Sequence, residues 1–436
     1  MQKRMIATLL ALSLCCSSVF AAENTETAAD TEADAPQTAA EASVEEEEQS
    51  GEAVPAEETE GETAAEEPAP QPDPEGTLSY ANLERRMREN NATMKALEET
   101  IASVEVLDYD KMKENLRDSL NSIGKGMWFM SVMGVDNTSL SSSYSSLKDT
   151  FDDLKEGKLQ EDNEGIIRQL KNAQDQMVMA AESLYASLLE MGNSRTNLQR
   201  SLDALDRTVA EMELRYQRGQ ISALQLQEVR DGRTQLKSGL DTLSTNIVVY
   251  TAQLENLVGL SPSGKLKLTE VPEITAEQVA AMSYEKDLEA ARDKSYTLYD
   301  AAQTLEDAKE DLHDAGKQYG FNEKRYEYVS AQHTYQAAQY TYQATVDSFE
   351  LGFHSAYTVV ADYQQVLKAA ESALALQKNT YASVETKYRQ GNVSKNTLLD
   401  AKDDLAEAEA AVVTAKHNLF TAYRTYWWAV EHGVLN

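Results

Sequence analysis

Proline is almost absent from most of this 436-residue chain. Between positions 77 and 436 only Pro262 and Pro272 occur, and they bracket one short interval. Because a proline inside a helix costs about 3 kcal/mol or more, a stretch without proline can form very long helices. The interval 261–275 also contains Gly264 and is predicted to be a linker between two halves of similar size.

The two halves repeat each other. Residues 215–222 (RYQRGQIS) correspond to residues 387–394 (KYRQGNVS) at an offset of 172, whereas residues 78–80 (LSY) correspond to residues 282–284 (MSY) at an offset of 204. The difference of 32 residues indicates an insertion in the first half, which we place in the Gly- and Ser-rich stretch 122–165. An internal duplication of this kind is identified before any fold is assigned.

Apolar residues recur every seven positions in both halves. In the first half, one column consists of Leu226, Arg233, Leu240, Ile247 and Leu254. In the second half, the equivalent column consists of Leu398, Leu405, Val412, Leu419 and Tyr426, and it is interleaved with Ala401, Ala408, Ala415, Ala422 and Ala429. Such columns occupy the a and d positions of coiled coils. The pattern predicts helices that pack against each other through these seams.

Each half contains one glycine between two heptad arms, at Gly219 and Gly391. Glycine suits the left-handed position that ends a helix, and the serine three residues later can cap the next helix. Because the connection is short, the next helix must run antiparallel. The predicted fold is all-α, with two tandem long antiparallel coiled-coil hairpins whose arms are about 80 to 100 Å long at 1.5 Å per residue. The first hairpin repeat is assigned to 77–260 and the second to 276–436.

The first residues differ from the rest of the chain. Two basic residues precede an apolar run that ends at Phe20, which predicts a signal peptide over residues 1–21. Cleavage after Ala21 is the preferred interpretation, and retention as an anchor is the alternative. Both cysteines, Cys15 and Cys16, lie inside this run. The chain after it therefore has no disulfide and no thiolate metal site.

Residues 22–76 form a second distinct segment. They hold 19 Asp or Glu, no Lys or Arg, and six of the eight prolines. Such a segment buries too little apolar surface to offset its ordering entropy, so it is predicted to be a disordered acidic linker. It carries −19 and the signal segment +2 of the net −33, which leaves −16 for residues 77–436. This acidity argues against nucleic-acid binding.

No catalytic constellation is recognisable in the sequence. None of the five histidines has a second His or a Cys at ligand spacing, and there is no HExxH, phosphate loop or nucleophile elbow. We therefore predict that the protein is not an enzyme and has no catalytic residues, no cofactor and no metal site.

Two aromatic features have alternative interpretations. Tyr328, Tyr335, Tyr342 and Phe349 recur every seven residues, which favours packing in a helix seam over a stacking or ligand site. Trp427 and Trp428 form either a belt at a membrane interface or the end of a helix packed on the root of the hairpins.

Two features are candidate functional sites. The first is the pair of tip loops, which are either simple turns or a docking surface, and their repetition favours docking. The loops comprise Gly219, Gln220, Ile221, Ser222, Gly391, Asn392, Val393 and Ser394.

The second feature is a set of acids nine and twelve residues after each tip glycine, at Glu228, Asp231, Asp400 and Asp403. Residues three apart share a helix face, and this face is not the apolar seam. These acids form either an ordinary solvated surface or a ring that selects ions.

Three features of the sequence resemble the TolC-like outer-membrane efflux family. They are the duplicated [RK]-Tyr-x-x-Gly-x-[IV]-Ser tip, the Leu/Ala heptad arm that follows it, and Leu257-Val258-Gly259-Leu260 at the end of the first repeat. The resemblance covers residues 77–436. It implies a homotrimer whose twelve long helices form a tunnel, located in the cell envelope at the outer membrane. It also implies tips that meet a membrane-fusion adaptor coupled to an ABC or proton-driven pump, and a tunnel constricted by the four acids.

The chain departs from this family in one respect. Membrane strands need roughly 9–11 residues each, but the first half offers only residues 127–133 and the second half offers no strand pair. We therefore expect the family's β-barrel to be reduced or absent. The functional prediction is an efflux or export conduit that passes small molecules or proteins; the alternative is a structural or adhesive coiled-coil envelope protein without transport. An adaptor would need small β-rich lipoyl-like modules, which are not found.

Overall fold

The structure is a computed structural model, and it describes residues 72–134, 136 and 138–435. The first repeat contains β1 (Thr77–Leu78), α1 (Tyr80–Asn90), α2 (Ala92–Glu105), α3 (Tyr109–Val132), α4 (Thr138–Glu156), α5 (Lys158–Gln217) and α6 (Ala223–Leu257). The linker contains β2 (Lys267–Leu268), and α7 (Ala276–Ala280), α8 (Tyr284–Lys294), α9 (Tyr296–Tyr319), α10 (Tyr326–Arg389) and α11 (Lys395–His432) follow. The all-α prediction is confirmed. The predicted signal peptide and most of the acidic linker lie outside the described residues.

Four long helices form the two predicted hairpins. Helix α5 has 60 residues and α10 has 64, which correspond to about 90 and 96 Å. Helix α5 pairs with α6, α10 pairs with α11, and α5 packs against α11. The side-by-side order is therefore α6, α5, α11, α10, and α6 and α10 are the two edges of this layer.

The heptad columns form the buried seams between these helices. Leu226, Leu240 and Leu254 of α6 are buried, and so is most of the alanine column of α11. Arg233 interrupts the α6 column, and its guanidinium donates a hydrogen bond to Asp206 of α5. This hydrogen bond lowers the pKa of the Asp206 carboxyl. An arginine at a seam position is thus accommodated by an acid on the facing helix.

Two apolar cores lie at the root of the hairpins, far along the arms from the glycine tips. The first core gathers Leu78, Leu83, Met87, Met94, Val178, Tyr185, Leu188, Leu254, Val258 and Trp428. The second gathers Ala291, Leu298, Phe349, Phe353, Val360, Leu419, Ala422, Tyr426 and Ala429. Helix α11 contributes to both cores, so it fastens the two repeats to each other.

Each repeat ends in a glycine that lies against the junction of its first two helices. Gly259, with φ 72°, lies against Asn90, and Gly433, with φ 66°, lies against Ser295. A Cβ at Gly259 would be 2.5 Å from the Asn90 Cβ, and one at Gly433 would be 2.4 Å from the Ser295 nitrogen. The same close approach thus occurs at the same place in both repeats.

One carboxylate organises the start of the linker. Glu255 of α6 is 2% exposed and accepts hydrogen bonds from the backbone N–H groups of Gly264 (2.7 Å), Lys265 (3.1 Å) and Leu266 (3.0 Å). Burial by itself would raise the pKa of Glu255, but hydrogen bonds from Ser263, Gly264 and Lys265 lower it to about 2. The following strand β2 pairs in parallel with β1. The linker is therefore attached to the root.

The end of the acidic segment is also attached to the root. Asp73 accepts hydrogen bonds from the Ser79 backbone N–H (3.1 Å) and from the Asn82 amide (2.9 Å), and it lies 3.5 Å from Arg86. Burial opposes ionisation, but these partners together lower the pKa of the Asp73 carboxyl. Residues 72–76, which the sequence assigns to the disordered linker, are thus ordered against α1.

The predicted insertion region 122–165 contains most of an additional helical hairpin, formed by α3 and α4. These helices are antiparallel, because Gly124 faces Tyr144 and Gly126 faces Leu140. Helix α3 has no buried residue. In the second repeat, α9 turns directly into α10. In the described part of the chain, no helix is both long and apolar enough to cross a membrane.

Candidate functional site

The two tips have the same backbone geometry. Gly219 and Gly391 adopt φ values of 68° and 75°, in the left-handed region that L-residues adopt only at a cost. The residue after each glycine donates its N–H back into the preceding helix, from Gln220 to the Arg215 carbonyl (2.8 Å) and from Asn392 to the Lys387 carbonyl (2.9 Å). These bonds satisfy carbonyls that the end of a helix leaves free.

A serine begins the next helix at each tip. The Ser222 side chain accepts from the Gln225 N–H (3.2 Å), and the Gln225 side chain accepts from the Ser222 N–H (2.9 Å), which completes a capping box. The Ser394 side chain accepts from the Thr397 N–H (3.1 Å) in the same way. Caps of this kind contribute about 1 kcal/mol each. The tips are therefore well-defined turns, and their role in docking stays a prediction.

Apolar side chains surround the tips without being buried. Leu214, Tyr216 and Leu224 of the first repeat are exposed, and Leu224 is 69% exposed. In the second repeat Tyr388 is exposed. Ile221 and Val393, within the loops themselves, are half-buried. The first tip therefore presents more apolar surface than the second.

The four acids after the tips do not have equivalent surroundings. Asp403 accepts a hydrogen bond from the Arg207 guanidinium of α5, and Asp400 lies 3.7 Å from the same group. Glu228 and Asp231 are exposed on α6. Asp231 accepts from the Gln227 amide (2.7 Å). The second-repeat pair is therefore held by a cation of the first repeat, whereas the first-repeat pair faces solvent in the single chain.

Arg207 is a residue that the sequence patterns did not single out. It is 29% exposed at its side chain and bridges the two repeats through α5 and α11. Nearby, the Asn396 amide donates to Glu211 (3.4 Å), which adds a second contact between the repeats close to the tips. No local signal identifies Arg207, because its partners lie nearly 200 residues further along the chain.

A buried ion pair joins the repeats at the root. Arg424 of α11 donates two hydrogen bonds to Glu182 of α5 (2.8 and 3.0 Å), and the Trp428 indole donates a third (2.8 Å). The Arg424 guanidinium also stacks 3.9 Å from the ring of Trp427. Burial, and then the Glu182 carboxylate, raise the pKa of the neighbouring Tyr80 hydroxyl. The tryptophan pair therefore packs on the root of the hairpins.

Two members of the tyrosine column have packing partners. Tyr328 contacts Phe321, in the turn after α9, edge to face with 5.9 Å between ring centroids, and Phe349 belongs to the second core. Among the described residues, no group of three or more His, Cys, Asp or Glu is arranged to hold a metal ion.

Comparison with known proteins rests on structure alone. No family model matches the sequence, and no curated protein matches it. Two solved structures align over 80% of this chain at 12% identity: a membrane protein from Pseudomonas aeruginosa (TM-score 0.52, 89% of that chain) and CusC (TM-score 0.50, 91% of that chain). The CmeC outer membrane channel of Campylobacter jejuni aligns over 66% of this chain and 68% of its own at 12% identity, with a TM-score of 0.49.

At these identities the likeness concerns the fold. Two tandem helical hairpins, joined side by side through α5 and α11, define the class to which the structure belongs. The chain has a TolC-like fold, that of the protomer of a helical tunnel, as the sequence resemblance predicts.

Proposed function

We propose that this chain is one protomer of an efflux or export conduit in the cell envelope, located at the outer membrane as its structural neighbours suggest. Three copies would enclose a tunnel of twelve long helices, which passes small molecules or proteins. The tips would dock on a membrane-fusion adaptor that is coupled to an ABC or proton-driven pump. The observation that supports this proposal best is the open four-helix layer, whose two edge helices, α6 and α10, both keep exposed apolar side chains in the single chain.

The edges carry exposed apolar side chains. On α10, Tyr340, Leu351, Val366 and Leu376 are exposed, with Leu351 at 70% and Leu376 at 67%. At 100° per residue these four positions fall within about 80° of one another, so they form one stripe along the helix. On α6, Val248 and Val249 are exposed as well. Exposed apolar surface of this extent is typical of protein–protein interfaces.

Two unlike edges favour a ring. If the α10 edge of one copy packs against the α6 edge of the next, the interface is head-to-tail, and such interfaces close into rings when the rotation fits. A single chain with four long helices cannot enclose a tunnel, whereas three copies provide twelve helices. The curvature that each copy requires is then about 120° per protomer.

The mass of the native complex, measured in mild detergent, tests the assembly. We expect three times the mass of one chain, and we expect L351E/L376E to reduce it to one chain because both charges would be buried in the interface. Lys378→Glu is the matched control, since position 378 is exposed and lies on the opposite face of α10. A strictly monomeric wild type at micromolar concentration would refute the ring.

The tips are proposed to dock on the adaptor. The residues that would face it are Gly219, Gln220, Ile221, Ser222, Gly391, Asn392, Val393 and Ser394. The exposed Leu224 and Tyr216 beside them supply apolar area, which docking surfaces commonly bury at their centre. Replacing Leu224 by Ser should lower co-purification of the adaptor while leaving the trimer mass unchanged. Unchanged recovery of the adaptor would argue against docking through this tip.

The acids after the tips are proposed to line a narrow part of the tunnel. In a trimer, Glu228, Asp231, Asp400 and Asp403 would supply up to twelve carboxylates, which attract cations and repel anions. The contact with Arg207 offsets part of this charge, since each copy brings one guanidinium to two carboxylates. The charge in this region is therefore set by residues of both repeats.

Substitutions of opposite sign test this arrangement. D400A/D403A should lower cation selectivity, and Arg207→Ala should raise it, in reconstituted material or in an efflux assay with charged substrates. The ion pair of Arg207 with Asp403 is partly exposed, and such a pair contributes about 1 kcal/mol or less, so assembly should persist. If both variants assemble normally and behave like wild type, the acids are an ordinary solvated face and do not form a ring that selects ions.

A further inference from the structure

Two segments project at the end of the molecule opposite the tips. Lys158, at the start of α5, lies 3.3 Å from Glu310 of α9, and Arg168, ten residues later, lies over the ring of Tyr299. Helix α9 therefore runs antiparallel to α5, and its last turn extends past the first residue of α5. Because α5 leads from this end to Gly219, the turn after α9 lies at the far end from the tips.

The α3–α4 hairpin starts at the same end of α5. The Asn163 amide of α5 donates to the Tyr109 hydroxyl (2.9 Å) at the start of α3. Met94, in the preceding α2, packs in the first core with Val178, so α2 runs antiparallel to α5 and brings the start of α3 to this end. From Tyr109 the 24 residues of α3 extend about 35 Å before the chain turns back into α4. We call residues 126–134 and 317–326 together the distal end.

The distal end leaves large apolar side chains exposed in the described part of the chain. In the hairpin, Trp128 is 70% exposed, and Phe129, Val132 and Met133 are exposed to similar extents. In the second segment, Phe321 and Tyr326 are also exposed. Helix α3 buries no residue, and none of its side chains belongs to either core.

The charge of the distal end differs from that of the chain. Residues 119–147 contain one Lys and one Asp in 29 positions, whereas a quarter of the whole chain is charged. Residues 317–326 contain three basic residues and one acid, within a protein of net charge −33. The basic residues are Lys324, Arg325 and Lys317, and Lys317 is paired with Asp314 (3.3 Å). An acidic protein thus has an aromatic, charge-poor hairpin and an aromatic turn with two basic residues, both of which leave from the region around the start of α5.

We propose that the distal end binds the surface of a lipid bilayer that contains anionic phospholipid. Trp128, Phe129, Val132 and Met133 would enter the boundary between headgroups and acyl chains. At 100° per residue, Trp128, Phe129 and Val132 fall within about 100° of one another, so they form one apolar face of α3, as interfacial helices have. Lys324 and Arg325 would face the lipid phosphates, and tryptophan is enriched at this level of membranes. The inference does not depend on conduit activity.

A second copy of the chain is less suited to this surface. A protein partner that covers Lys324 and Arg325 would have to bring acidic residues, but residues 119–134 of the hairpin contain one Lys and no acid. The combination of aromatic and basic groups fits an anionic lipid surface, where each Lys or Arg changes binding by about fivefold.

Flotation of the full chain with vesicles tests the proposal. Wild type should bind vesicles of phosphatidylcholine that contain about 30 mol% phosphatidylglycerol, and W128S/F129S should reduce this binding at least tenfold. K324Q/R325Q should reduce it about 25-fold on these vesicles and little on pure phosphatidylcholine. V106S/L107S, which removes exposed apolar groups from the turn between α2 and α3, is the matched control and should bind like wild type. All variants keep the same N-terminal segment, so binding through that segment would be equal in all of them. Equal binding by wild type and every variant would therefore overturn the proposal.

A second measurement locates the contact. Brominated lipids should quench the fluorescence of Trp128, obtained as the difference between wild type and Trp128→Phe, because Trp428 is buried and Trp427 packs on the root. Phenylalanine preserves the apolar surface, so this variant should still float. If brominated lipids do not quench Trp128, the surface does not contact lipid. If Trp128 becomes shielded from solvent as the protein concentration rises without vesicles, the surface contacts protein instead of lipid.

Discussion

The duplicated glycines at the ends of the repeats allow a sharp test of the fold. Gly433 and Gly391 both have a left-handed φ, but their surroundings differ. A Cβ at Gly391 would meet nothing within 4 Å, whereas one at Gly433 would lie 2.4 Å from the Ser295 nitrogen and 2.5 Å from the Lys294 carbonyl carbon. Replacing each glycine by alanine therefore separates the effect of backbone conformation from the effect of close approach.

The expected magnitudes follow from these distances. A left-handed conformation costs an L-residue about 1–2 kcal/mol, so Gly391→Ala should destabilise the protein by that amount. Gly433→Ala adds an overlap with backbone atoms, which cannot rotate away as a side chain can. Overpacking of this kind costs about 1–3 kcal/mol more, and the total becomes about 2–5 kcal/mol.

Urea unfolding followed by circular dichroism at 222 nm measures the difference. We expect a lower midpoint for Gly433→Ala than for Gly391→Ala, with similar slopes. Gly259→Ala should behave like Gly433→Ala, because the added Cβ would lie 2.5 Å from the Asn90 Cβ and 2.6 Å from its carbonyl oxygen. Equal midpoints for the tip variant and the two root variants would refute the close approach as the reason for glycine.

Three further predictions concern the root and the tips. Folding lowers the pKa of Glu255 from 4.5 to about 2, so its ionisation stabilises the fold fully above pH 4.5, and this contribution of about 3 kcal/mol is lost as the pH falls toward 2. The difference in unfolding free energy between wild type and Glu255→Gln should therefore shrink over that pH range. A difference that stays constant would contradict this prediction. Arg424→Leu should destabilise the protein by about 3–5 kcal/mol by leaving the Glu182 carboxylate buried without a cation, and adding Glu182→Leu should recover part of this loss in the same urea assay. Ser222→Ala should cost about 1 kcal/mol without changing the helix content, whereas a loss of helical signal would show that the cap is needed for the whole arm.

The sequence by itself determined the hairpins. Heptad spacing, the absence of proline and the two tip glycines are local properties, and each acts within one or two helical turns. Leu226, Leu240 and Leu254 were expected in a seam and are buried there, and Gly219 and Gly391 have the left-handed φ that the tips require. The repeat offset likewise pointed to additional structure in the first half, because it compares the chain only with itself.

Only the tertiary structure decided which helices lie side by side. The pairing of Arg207 with Asp403 joins residues 196 apart, and that of Arg424 with Glu182 joins residues 242 apart. Heptad columns indicate that a helix has an apolar face. Because every arm has such a face, the columns do not determine which helix packs against which. The neighbour is selected because α11 contributes side chains to both root cores at once. The unequal surroundings of the four acids and the exposed distal end are likewise features of the tertiary structure.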